Sequence, residues 1–450
     1  MGNKRWRKIN QFFVVSGIGK KQTAATADGG TFLADADLDT LEPCEMEMDL
    51  VVERGEERNC DGRDLIGQPV KSRMRRFRLT YNRFTPLQAA RMLAYKEGAV
   101  TAPTGAPANE VQTLSRTGDV TGGTFTISLS LEGRSGSTKP IAYNATTAQI
   151  LAAITGALGT LGKVIQPGDV TIGGSWGAGI TLTFARRLRN ANIPLVTINN
   201  AAITGGGTVT AAQTTAGDNY FHTIRRSADG SKPHFTFATG DKGGTIATQK
   251  YGDAVVESVD FACNPDQTDV QMIVVIASSF NPDEVSDFAV PACVNLPAVK
   301  VTDTRIKIAG NFEHRDLVNH AINLNDNVPV KAAFSYDDID VSSAFVSGDQ
   351  PTQEFTTEVF GDSDHALHEL ALNEYVEGNE VEFITHFGNP GNRISVIGDE
   401  TKIKPQAQLE GFSGEANQST IKIAGTPFGI TDIPVRYEFI GDQSVSFLSV

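Results

Sequence analysis

No stretch of this 450-residue chain is apolar for long enough to cross a bilayer. Lys4, Arg5, Arg7 and Lys8 are followed by a short apolar run, Phe12, Phe13, Val14 and Val15, which falls far short of a secretory signal core. Trp6 stands where a myristoylation signal opening at Gly2 requires Ser or Thr. The expectation is no membrane, and synthesis and retention in the cytoplasm. Cysteine is scarce too. Cys44, Cys60, Cys263 and Cys293 are scattered and form no C-x-x-C pair, which argues against a zinc site or a disulfide framework and for reduced thiols. Tryptophan occurs only at Trp6 and Trp176, thin material for the aromatic platform of a sugar-binding protein.

Catalytic signatures are missing as well. Gly17-Ile18-Gly19-Lys20 has the sound of a phosphate loop, but Lys21 replaces the Ser or Thr and Val14 the first Gly. Asp35, Asp37 and Asp39 open like a calcium loop, yet Thr40 replaces its Gly and Met46 its closing Glu. His365 and His368 are three apart, with Glu369 after both, whereas a zinc peptidase places its pair four apart around a Glu. No catalytic residue, cofactor site or metal site is expected, and the chain reads as no enzyme.

Charge is distributed unevenly. Residues 1–108 hold 17 basic and 14 acidic side chains and residues 109–218 hold 7 and 5. Residues 219–300 hold 6 and 10, while residues 301–450 hold 9 and 24. An acidic surface repels nucleic acid, which argues against a DNA-gripping module. The basic strand with Arg73, Arg75, Arg76 and Arg78 is expected to pair with acidic residues of a neighbouring strand or subunit, such as Glu45, Glu47 and Asp49.

What is present is β patterning with few helices. Strands are expected over 45–53 and 73–81, followed by a helix capped by Thr85, opened by Pro86 and stopped by Gly98. Its apolar face carries Leu87, Ala90, Leu93 and Ala94. A second strand and helix repeat the pattern over 352–359 and 363–378, with Phe355 preceding Ser363 by the same eight residues that separate Phe77 from Thr85. Gly240-Asp241 and Gly398-Asp399 mark later strands, and apolar strands over 270–277 and 433–440 close the two copies. Between them residues 109–218 have no counterpart and read as an inserted β-rich module. It has Gly-rich turns, one helix capped at Asn144 or Thr146, an entry hinge at Pro103, Gly105 and Pro107, and an exit over 214–218. The expected class is mainly β, with two tandem domains, 1–108 plus 219–295 and 296–450, around the insert.

The run Arg54-Gly-Glu-Glu-Arg-Asn-Cys-Asp-Gly through Phe77-Arg-Leu-Thr-Tyr and the Pro86 helix resembles the tail tube proteins of long-tailed bacteriophages. So does the stretch from Asp253-Ala-Val-Val-Glu-Ser-Val-Asp-Phe to Ala277. The insert, with Pro140-Ile-Ala-Tyr-Asn-Ala-Thr and Ile193-Pro-Leu-Val, is similar to Ig-like or other small β-rich modules grafted onto phage virion proteins. The resemblance implies two β-sandwich, barrel-forming domains, each with one flanking helix, and self-assembly into stacked rings. A subunit with two fused copies would form a trimer that imitates a hexamer. It further implies a place in the virion tail, with tape measure, tail-tip and tail terminator proteins as partners and viral DNA passing through unbound. Candidate ring-stacking residues are Glu56, Glu57, Arg58, Asp61 and Arg63 in one loop and Asp337, Asp338 and Asp340 in the equivalent one. Arg436 and Glu438 are candidates for the lumen wall. The competing readings are another virion component (a tail-tip or capsid decoration protein) and a carbohydrate-binding adhesin.

Overall fold

The computed structural model describes residues 14–19, 38–40, 44–54, 57–58, 65–67, 70–228, 232–233, 235–241, 248–264, 266–278, 283–285, 298–308, 311–313, 317–325, 330–331, 344–345, 352–360, 380–403, 409–410, 420–427 and 435–448. From the N-terminus run β1 (Val14–Gly19), β2 (Leu38–Thr40), β3 (Glu45–Arg54), the short β4 (Glu57–Arg58) and β5 (Leu65–Gly67), β6 (Val70–Tyr81) and α1 (Pro86–Glu97). β7 (Gly98–Val100) leads into the inserted segment. That segment holds β8 (Val111–Thr117), β9 (Gly122–Leu131), β10 (Arg134–Ser137), β11 (Ile141–Ala142), α2 (Thr147–Thr155), β12 (Val170–Ser175), β13 (Gly179–Phe184), β14 (Thr197–Thr204) and β15 (Thr208–Thr215). The chain returns through β16 (Tyr220–Arg226), β17 (Phe235–Asp241), β18 (Thr248–Cys263), β19 (Gln271–Ser278) and β20 (Asp283–Val285). The last third holds β21 (Thr304–Ile308), β22 (Asn311–Glu313), β23 (Leu317–Asn325), β24 (Val330–Lys331), β25 (Ala344–Phe345) and β26 (Thr352–Phe360). It ends with β27 (Glu380–Asn389), β28 (Asn392–Ile403), β29 (Leu409–Glu410), β30 (Thr420–Pro427) and β31 (Arg436–Gly441). The protein is mainly β, in antiparallel sheets.

One pairing plan occurs twice. β1 pairs β2 and β17, β17 pairs β18, β18 pairs β19 and β20, β19 pairs β6, and β6 pairs β3. β4 pairs β5 within the β3–β6 connection. In the last third β21 pairs β22 and β27, β27 pairs β28, β28 pairs β30 and β31, β30 pairs β26, and β26 pairs β23. There β24 pairs β25 within the β23–β26 connection. By this plan β19 corresponds to β30, and β31 to the short β20. The two strands that close the copies in the sequence pattern, over 270–277 and 433–440, therefore occupy different places. Likewise Gly240-Asp241 ends β17, whereas Gly398-Asp399 lies inside β28. Apolar alternation identifies a strand without naming its neighbours. Gly17 and Gly19 lie in β1, an extended strand rather than a loop around phosphate.

α1 forms as its punctuation dictates. The Thr85 hydroxyl accepts from the Gln88 amide at 3.2 Å, Pro86 occupies the first turn, and Gly98 closes the helix at φ 86°. The apolar stripe understates its burial, because β16, β18, β28 and β31 all pack against it. Lys96 and Glu97 at its end are buried as an ion pair of 2.7 Å, and Glu97 also accepts from the Tyr437 hydroxyl at 2.8 Å. The corresponding helix expected over 363–378, with His365 and His368, lies outside the described residues, as do Asp35 and Asp37.

The inserted segment folds around its own core, which includes Phe125, Ile127, Ile150, Ile154, Leu182 and Phe184, separate from the core of the body. Its strands form two four-stranded sheets, β9 with β10, β11 and β14, and β12-β13-β8-β15. Thr146 and Gln149 form a capping box at the start of α2. Entry and exit lie side by side: Ala108 and Asp218 exchange backbone hydrogen bonds of 2.8 and 2.9 Å. The buried Glu110 carboxylate accepts from the Gly217 amide at 2.6 Å and from Gln213 and Gln112, fastening the two ends together. At the entry, Gly105 takes φ +89°, and a Cβ there would meet the Asn219 carbonyl at 2.3 Å.

Candidate assembly surface

The two halves of the pairing plan join into one sheet. β3-β6-β19-β18 continues through the β18–β23 ladder, from Ser258 opposite Asn325 to Cys263 opposite His320, into β23-β26-β30-β28. The side chains divide cleanly by parity across its first six strands. Met46, Phe77, Leu79, Met272, Val274, Val259, Phe261, Ile322, Leu324 and Phe355 are buried. Glu45, Glu47, Asp49, Arg76, Arg78, Asp260, Asn323 and Glu354 occupy the opposite face, wholly or partly exposed. Five of those eight are acidic and two basic, so the wetted face of the sheet is negative.

The strand with four arginines behaves only partly as its composition implies. Register sets Glu47 opposite Arg78 and Asp49 opposite Arg76. Arg76, however, forms a two-pronged ion pair with Glu257 of β18, at 2.8 and 2.9 Å. Glu257 sits where the β18–β19 register slips, and nothing local in sequence points to it.

β3 pairs β6 along one edge, and among the described residues nothing pairs along the other. In the last third the matching edge of β23 is covered by β18. An open edge of this length is a template for another strand.

At the internal junction His320 is fully buried. One ring nitrogen lies 3.0 Å from the Thr357 hydroxyl and the other 3.0 Å from that of Thr385. Burial pushes its pKa down to about 4, so the ring is neutral, donating at one nitrogen and accepting at the other. Beside it in register, the Cys263 thiol is pushed up to about 12 by burial, despite its contact with the Thr304 hydroxyl, and is inert as a nucleophile.

Glu57 and Arg58 form β4 within the β3–β6 connection. Glu56, Asp61 and Arg63 of that loop, and Asp337, Asp338 and Asp340 of the loop between β24 and β25, lie outside the described residues. Arg436 and Glu438 lie on β31, which pairs with β16 and with the N-terminal half of β28, the last strand of the eight. Arg436 holds Asp399 at 2.7 Å and is also bonded to Glu438, and the Asp399 carboxylate raises its pKa. Sequence periodicity placed a strand there but could not say to which sheet it belongs.

Trp176 offers no open platform. The Arg116 guanidinium lies over it at 4.7 Å from the ring centroid, and the indole N–H donates to the Ala145 carbonyl. Trp6 lies outside the described residues. Among the described residues no group of His, Cys, Asp and Glu is arranged to hold a metal ion, and no helix is long and apolar enough to cross a membrane. No known family model matches the chain, and no curated protein matches it.

Proposed function

We propose that this protein is a structural subunit of a phage tail tube, built from two fused tube domains, 1–108 with 219–295 and 296–450, and an Ig-like or similar module inserted at 109–218. The observation that carries the reading is the internal β18–β23 junction. It joins two copies of one pairing plan edge to edge, as neighbouring subunits of a ring would be joined. Repeating that contact between chains brings the open edge of β3 to the C-terminal end of β28 in the next copy, past Lys402, where its ladder with β27 ends. The contact is head-to-tail, and it closes where the rotation allows. Three chains supply six tube domains and 24 inner strands. At a strand spacing near 4.8 Å and a tilt of about 40°, such a barrel is roughly 48 Å across between backbones.

The negative face of the sheet, with Glu45, Glu47, Asp49, Asp260 and Glu354, then lines the lumen. Phosphate is held on proteins by Lys and Arg, so a wall with few cations lets DNA pass without sticking. Arg76 contributes little attraction because Glu257 neutralises it. Arg436 and Glu438 fall on the outer layer in this arrangement, and the loops with Glu56 to Arg63 and Asp337 to Asp340 face the next ring. The insert projects outward.

Class averages of the purified chain by electron microscopy at high concentration test the reading. Three-fold rings with a wide hole, stacked into tubes, are expected. Six-fold rings of whole chains would keep the tube but reject the fused pair. Monomers at every concentration, even with a tail-tip initiator, would reject the tube in favour of a decoration protein.

A further inference from the structure

The module meets the body across a small cleft of about 30 Å³, whose walls include Glu132, Arg134 and Arg187 from the module and Asp303, Arg305 and Pro390 from the body. The accounts of these charges do not close. Glu132 is taken by Arg393 of β28, and Arg187 is taken by the buried Asp169 at 2.5 Å. Arg305 is 8% exposed, and its hydrogen bonds run from Nη1 alone, to the Thr302 and Thr304 carbonyls at 2.7 Å each. Its Nε and Nη2 have no protein acceptor among the described residues. The Arg134 side chain makes no hydrogen bond or close ion pair with any described residue, and only the more distant Asp303 and Glu132 charges favour it. Glu132 and Asp303 are the carboxylates left near Arg134 and Arg305, which repel each other and Arg187 across the cleft, and burial together with Arg134 lowers the Arg305 pKa to about 10.

The approach is held by design rather than accident. Glu132 takes φ +48° at the β9–β10 turn, an unfavourable conformation for a residue with a Cβ, and so delivers its carboxylate to Arg393. Asn190 (φ +57°) donates to Asp442, and Asn219 donates to the Gly391 carbonyl at 2.8 Å. The contact between module and body is therefore fixed at several separate points.

We infer that this cleft binds a phosphate-type oxyanion, held by Arg134 from the module and Arg305 from the body. Guanidinium groups present paired donors that match the oxygens of phosphate, and a bound dianion would replace mutual repulsion with two charge-assisted contacts. Such an ion would latch the module to the body. The inference does not depend on ring formation.

Calorimetric titration of the full chain with inorganic phosphate, at ionic strength held constant with chloride, tests it. A parallel titration with a sugar phosphate asks whether the group arrives free or on a larger molecule. Saturable binding in either arm is expected, weakened roughly 10- to 100-fold by Arg134→Gln and strengthened by Asp303→Asn. The Arg134 side chain has no hydrogen bond to lose, so the variant should fold, which its unchanged melting temperature would establish. Hydrogen exchange should slow on ligand addition at 131–134 and 303–305 together. No binding in either arm, or equal binding by wild type and Arg134→Gln, would overturn the inference.

Discussion

Acidification should loosen the junction between the two halves of the eight-strand sheet, and His320 should account for a defined part of the loss. Its folded pKa of about 4 lies below the ordinary value of 6.5, so the unfolded chain takes up a proton first as pH falls. Stability from the neutral, buried ring is fully present above pH 6.5 and is lost progressively towards pH 4. Each unit of pKa difference corresponds to about 1.4 kcal/mol, which makes the full loss about 3 kcal/mol. Between pH 6.5 and 5, before most carboxylates titrate, the share is roughly 1.6 kcal/mol. His386 and His222 have depressed pKa values for the same cause, burial, and add to the slope without replacing it. The assay is urea unfolding by circular dichroism across that window, for wild type and His320→Gln. The variant should be less stable at neutral pH, having lost a fitted ring, but its profile should be flatter by the His320 share. The module supplies a control, since residues 109–218 contain no histidine. In a Trp6→Phe background the fluorescence of Trp176 should report a transition nearly independent of pH over the same window. Parallel profiles for wild type and His320→Gln would refute the reasoning.

Two further outcomes follow from the packing. Glu97→Ala removes the carboxylate that the buried Lys96 ammonium and the Tyr437 hydroxyl share, and should cost up to about 3–5 kcal/mol in chemical unfolding. Tyr437→Phe, which removes one hydrogen bond and leaves the ion pair, should cost nearer 1 kcal/mol. Gly391→Ala places a Cβ 1.8 Å from the Arg189 carbonyl, so the module should undock. Small-angle scattering should then show a larger radius of gyration while the Trp176 transition stays in place.

The legible parts of this fold were those set by local chemistry. Thr85, Pro86 and Gly98 delimit α1 because each satisfies a backbone group within a few residues, and Thr146 with Gln149 does the same for α2. Residues 109–218 hold a core of their own, and the Gly105 that precedes them takes a backbone conformation and a close approach that few other residues tolerate. What escaped is long-range. Arg76 finds Glu257 across 181 positions, whereas reading from composition favoured acidic neighbours in β3. β18 is continuous in sequence but changes neighbours along its length, from β17 and β20 to β19 and β23, and no residue pattern declares the change. The arginines around the module cleft come from three separated stretches and carry no common motif. The same holds for the surface proposed for assembly: its alternation was visible strand by strand, but its continuity through β18 and β23 was not.

The adjacency of Ala108 and Asp218 bears on the order in which the chain acquires its structure. β7 and β16 are partners in a hairpin, yet 119 residues lie between Val100 and Tyr220. Closing a disordered loop of that size costs about 3 kcal/mol more than closing a tight turn, by the logarithmic dependence on length. A module that has already condensed around Phe125, Ile154 and Phe184 presents its two ends ready-paired, and β7 and β16 then meet as if joined by a few residues. Early folding of the module is thus the route by which a long interruption becomes, kinetically, a short one.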